Sequence, residues 1–121
     1  MPYFVHREEL EAKTENPVAW QQINLMNEVI AAELDAGVEL NILTAGTATN
    51  HHYHSGCEHY IFIIKGEGAL QLVDGDHSVA TGYMIAIDSE EQHALKNVGQ
   101  EDLEYLEFFV PGTGTTTVVS D

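Results

Sequence analysis

The chain has 121 residues, with twenty acidic residues against four basic ones and a formal net charge of −16. That length suits one domain over residues 1–121, large enough to need no disulfide staples, and the single cysteine, Cys57, excludes an internal disulfide and points to a reducing compartment. The charge argues against nucleic acid and anionic membranes as partners and favours cations, metal ions among them.

No apolar run approaches the ~20 residues of a membrane helix. The first residues, Met1-Pro2-Tyr3-Phe4-Val5-His6-Arg7-Glu8, lack a basic start followed by an apolar stretch. The expectation is a cytoplasmic protein with no membrane partner.

In chain order, Tyr3 to Val5 reads as a short strand and Arg7 to Lys13 as a helical turn, broken at Asn16-Pro17. Trp20, Ile23 and Leu25 mark a strand within Val18 to Leu25. Asn27 can cap a short helix over Glu28 to Leu34 that Gly37 ends, although a strand reads almost as well there. Val38 to Thr44 alternates like a half-buried strand. After Gly46 comes the densest chemistry of the chain, Asn50-His51-His52-Tyr53-His54-Ser55-Gly56-Cys57-Glu58-His59, which holds four of the seven histidines. The pattern is then all β. Strands are predicted at Tyr60–Lys65, Ala69–Val73, His77–Ala80, Tyr83–Ile87, His93–Val98 and Leu103–Val110, with Asp74-Gly75 as a hairpin turn. The segment from Thr113 to Asp121 is small and polar and reads as a mobile tail. Many short strands with regular turns imply a sandwich or barrel.

A neutral imidazole is the commonest side-chain metal ligand. Two histidines spaced as His52-Tyr53-His54 point to one face of a strand, so both can reach one ion. His51 then points away, and His6 and His77 read as surface residues.

The spacing resembles the two motifs of the cupin family, G-x5-H-x-H-x3–4-E-x6-G and G-x5-P-x-G-x2-H-x3-N. Gly46, His52, His54 and Gly66 follow the first, and Gly82, His93 and Asn97 the second, with Asp88 and Glu90 where the motif has proline and glycine. The resemblance implies an all-β, cupin-type double-stranded β-helix, a jelly-roll barrel with its core at about 37–110 and a short N-terminal extension. It implies a divalent transition metal (Fe, Mn, Ni, Cu or Zn) held by His52, His54, His93 and a fourth group. Counting back from Gly66 selects His59, as in the subgroup of small cupins with four histidines; a β-bulge near Tyr60 would restore Glu58. On the His59 register, Ile61 and Ile63 share the inward face and Tyr60, Phe62 and Ile64 the other, so the strand reads as covered on both sides.

The resemblance implies an oxygenase acting on a small, partly apolar molecule, with Ile61, Ile63, Phe108 or Met84 lining the pocket. A lyase or isomerase is the alternative: Glu58-x-Tyr60 and His93-Ala94-Leu95-Lys96-Asn97 are similar to small cupins that cleave dimethylsulfoniopropionate, which casts Tyr60 as the catalytic base. A non-catalytic barrel that binds a small molecule through its metal is the third reading. Small cupins commonly pair, and Trp20, Ile23 and Leu25 offer apolar surface for a homodimer.

Overall fold

Residues two apart on a strand share a face, so a short alternating segment buries one row and needs a second sheet to bury it against. The computed structural model describes residues 4–10, 19–26, 28–112 and 114–120. A 3-10 turn at Arg7–Glu9 precedes β1 (Trp20–Asn24), α1 (Glu28–Leu34), β2 (Gly37–Leu43), β3 (His51–Ser55), β4 (Glu58–Lys65) and β5 (Glu67–Leu72). Then follow β6 (Gly75–Ala80), β7 (Met84–Ile87), β8 (Ala94–Asn97), β9 (Leu103–Val110) and β10 (Thr115–Ser120).

One sheet runs β1-β2-β9-β4-β7 with antiparallel neighbours. The other is built from β6-β5-β8 and β10-β3, which the bridges His52↔His93 and Ala48↔Lys96 join. Leu43, Ile61, Ile63, Leu103 and Tyr105 of the first sheet meet Leu70, Val79 and Leu95 of the second in one buried core. This is the double-stranded β-helix. Two turns hold it in register. At Gly66, φ is +108°, and a Cβ would lie 2.9 Å from the Asp102 carbonyl oxygen, so glycine alone fits. Asn97 is wholly buried; its Nδ2 donates to the Leu43 and Glu101 carbonyls and its Oδ1 accepts from the Gly99 amide.

Several expectations are corrected. The segment read as a mobile tail forms β10, which pairs with β3 from Thr115↔Ser55 to Ser120↔His51. Phe4 and Val5 carry no strand. Tyr3, Lys13, Asn16, Pro17, Val18 and Asn27 lie outside the described residues, as do Thr113 and Asp121. The outer row of β4 is not covered as expected: Phe62 and Ile64 are 38% and 40% exposed. The residues read as surface for a homodimer also make contacts within the chain. Ile23 is buried with Leu40 and Ile42, Leu25 packs against them, and Trp20 packs on the main core.

Candidate metal centre

The site begins with the register of β4. Its burial alternates, with His59, Ile61 and Ile63 inward and Glu58, Phe62 and Ile64 outward. His59 therefore faces the barrel interior, 1% exposed, while Glu58 is exposed. His52 and His54 come from β3, and the His52↔His93 bridge at the entry to β8 brings His93 beside them. Ring centroids lie 4.3 Å apart for His52–His93, 4.6 Å for His54–His59, 4.9 Å for His52–His54, 5.2 Å for His59–His93 and 5.5 Å for His54–His93. All four candidate histidines thus meet.

Each imidazole has one nitrogen tied down. His52 Nδ1 donates to the Asn50 carbonyl at 2.7 Å and His93 Nδ1 to the Glu91 carbonyl at 2.9 Å. His54 Nδ1 bonds the Thr116 hydroxyl at 2.9 Å. His59 is reversed: its Nε2 donates to Glu107 Oε2 at 2.5 Å. The remaining nitrogens His54 Nε2, His93 Nε2 and His59 Nδ1 are buried and have no hydrogen-bond partner among the described residues. Orphaned buried nitrogens are costly and rare. Buried nitrogens left without partners are what a bound cation would satisfy, so the donor set fits a metal. His52, His54 and His93 each offer a donor atom within 4.8 Å of the others, and so do His54, His59 and Glu107.

Burial, with repulsion from neighbouring imidazoles, lowers His54 to a pKa of about 3. Burial, His52 and His59 lower His93 to about 4, against the pull of the Glu91 carbonyl. Burial also lowers His52. These rings are neutral at neutral pH, the form that binds metal. Burial pushes the Glu107 carboxyl up, but the hydrogen bond from His59 and the neighbouring imidazoles outweigh it and hold the group below its ordinary value.

Above the histidines opens a cavity of about 470 Å³, a volume suited to a small molecule. It is lined by His52, His54 and His93, though not by His59, and by Trp20, Gln22, Glu39, Ile61, Leu95, Tyr105, Glu107, Phe109, Thr116 and Val118. His59 lies behind Phe109, its ring stacked on it at 4.7 Å and 8°.

Of the residues expected to line the pocket, only Ile61 does. Ile63 lies in the core, Phe108 is on the outer row of β9, and Met84 is 59% exposed. Tyr60, expected as a base, sits between the inward residues His59 and Ile61. Its hydroxyl donates to Glu58 at 2.5 Å, and that bond and Glu58's charge raise its pKa. Tyr60 is not among the cavity-lining residues. Sequence reading missed Glu107, Thr116 and the bonded pair of half-buried Trp20 and buried Asn41. Glu107 shares its one signal, a charge in an otherwise apolar alternating row, with Glu104; Thr116, in a run of three threonines, has none.

Comparison with known proteins agrees with this architecture. An oxalate-binding protein of Thermotoga maritima is 33% identical over 64 residues, an alignment covering 53% of this chain and 53% of that one. The chain thus spans about half the length of that relative. Among solved structures, the polyketide cyclase RemF from Streptomyces resistomycificus superposes with a TM-score of 0.81 at 22% identity, over 98% of this chain and 86% of that one. Ectoine synthase from P. lautus gives 0.77 at 18% identity, over 98% and 90%. At these identities the likeness is one of fold. The profile of the cupin domain matches residues 40–109, more than half of the sequence, and the chain belongs to the cupin family.

Proposed function

We propose that His52, His54, His59 and His93 hold one divalent transition metal (Fe, Mn, Ni, Cu or Zn). We propose further that the chain is an oxygenase acting on a small, partly apolar organic molecule in the cavity above them. The observation that carries this reading is that all four imidazoles have one nitrogen bonded outward, while the other nitrogen of His54, His59 and His93 is buried without a partner among the described residues. A redox-active metal bound there would supply electron exchange with dioxygen, and any of these metals would supply a Lewis acid.

The chain's own residues do the rest. The Asn50 and Glu91 carbonyls, the Thr116 hydroxyl and Glu107 fix each ring's orientation. Glu107 keeps the His59 proton on Nε2, so that Nδ1 stays available. Phe109 and Ile61 exclude water on the β4–β9 side, and Leu95 on the β8 side. Gln22 donates to Glu39 at 2.9 Å, which places a carboxylate on the cavity wall to orient the substrate's polar end.

That same carboxylate supports a second reading, a lyase or isomerase that moves protons without dioxygen. Glu39 stands at the cavity wall, where a base would be needed, and Tyr60 does not. The discriminating experiment is metal-loaded protein on an oxygen electrode with a panel of small organic acids, phenols and diketones, repeated under argon. Oxygen uptake that accompanies product and stops under argon is the result this proposal expects. Product formed equally well under argon would replace it with the second reading.

A further inference from the structure

Trp20 stands on the cavity wall, and its indole Nε1–H can donate but never accept. It donates to Asn41 Oδ1 at 2.9 Å. Asn41, wholly buried, passes an Nδ2–H to Glu107 Oε1 at 2.7 Å. Glu107 Oε2 receives the His59 Nε2–H at 2.5 Å. Three links therefore run from the wall on β1, through β2 and β9, to a histidine on β4.

The direction of every link is set from both ends. A flipped Asn41 amide would turn its NH₂ against the indole N–H, donor to donor, and its carbonyl against the carboxylate, acceptor to acceptor. With Asn41 held as found, Glu107 has one oxygen occupied and the other aimed at His59. The other three histidines bond outward through Nδ1, and His59 alone of the four does so through Nε2.

We infer that Trp20 and Asn41 are positioning residues for His59, acting through Glu107 to decide which of its nitrogens presents a lone pair to the centre. The inference rests on reading the four histidines as metal ligands. Trp20 thereby has two roles: its ring forms part of the cavity wall, and its N–H anchors the relay.

The test uses metal-free, ¹⁵N-labelled protein, in which histidine tautomers are read from long-range ¹H–¹⁵N spectra, followed by titration with Zn²⁺. Trp20→Phe keeps a large ring and removes the donor; Asn41→Leu keeps the size and removes both links. In the unsubstituted protein His59 is expected to be protonated at Nε2. Both variants should show a mixed His59 tautomer and bind Zn²⁺ about tenfold more weakly, the lower end of what losing a partner behind a ligating histidine costs. If one variant fails to fold, the other decides. An unchanged tautomer and unchanged affinity would overturn the relay. A shifted tautomer in protein that binds no Zn²⁺ in any form would uphold the relay and overturn the metal reading.

Discussion

The two ends of the same inward rows differ more than any two strands do. On β2 and β9 the register sets Leu43 against Leu103, Asn41 against Tyr105, Glu39 against Glu107 and Gly37 against Phe109. On β4 it sets Ile63 against Tyr105, Ile61 against Glu107 and His59 against Phe109. The rows begin apolar, at Leu43, Leu103 and Ile63, and carry polar groups further along, Asn41 and Glu39 on β2, Glu107 on β9 and His59 on β4, with Phe109 among them. One end is a close-packed core. The other buries histidine, asparagine and glutamate, groups that cost free energy when taken out of water and need partners there. The lesson is that position along the strand divides the work. The apolar end stabilises the fold, and the polar end holds a pre-arranged set of donors.

The comparison predicts how each end fails. The largest effect should come from acid. His54 and His93 have folded-state pKa values of about 3 and about 4, below the ordinary value of about 6.5. Between those values and 6.5 the unfolded chain binds more protons than the folded one, so stability rises with pH. Metal-free protein should keep its full stability above about pH 6.5 and lose on the order of 5 kcal/mol as pH falls through 4 toward 3. Urea melts across that window measure it; a flat profile would mean the rings are not buried neutral. Next, Leu103→Ala at the apolar end should cost about 2–5 kcal/mol by opening a cavity, while metal stoichiometry in the folded protein stays unchanged. Glu107→Gln at the polar end should do the opposite, with a small change in melting and a loss of about 10–100-fold in metal affinity by calorimetry. Equal effects of both substitutions on both readouts would erase the distinction between the ends. The smallest effect concerns Glu90, which has φ of +70° where the family motif has glycine. Glu90→Gly should relieve that strain and stabilise by at most about 1 kcal/mol, seen as a slightly higher denaturation midpoint.

Much of this architecture is legible in the sequence because alternation is a local property. The strand over Leu103–Val110 is found at its predicted bounds, and the turn at Gly66 gives the register that faces His59 inward. What sequence leaves open are ties between faces. On β9 the row Leu103, Tyr105, Glu107, Phe109 and the row Glu104, Leu106, Phe108, Val110 are equally apolar, each with one glutamate. Only pairing with β2 and β4 decides that Glu107 and Phe109 face the site while Phe108 does not. The same holds for Trp20 and Ile23, which read as one surface patch although odd spacing sends them to opposite faces of β1. β10 was out of reach for another reason. Its threonines carry no periodic signal, and its place depends on Gly114, where a Cβ would meet the Ser55 carbonyl oxygen at 2.2 Å. That close approach beside β3 is a long-range contact, and it carries Thr116 to His54.

The central claim is that the four imidazoles, and not Glu58, hold one metal ion. The most direct test is metal content per chain, by mass spectrometry after dialysis against a stoichiometric divalent ion, for the unsubstituted protein, His59→Ala and Glu58→Gln. The proposal predicts one ion per chain in the unsubstituted protein and in Glu58→Gln, and loss of most of it in His59→Ala. Metal retained by His59→Ala and lost by Glu58→Gln, or no metal in any of the three, would contradict it.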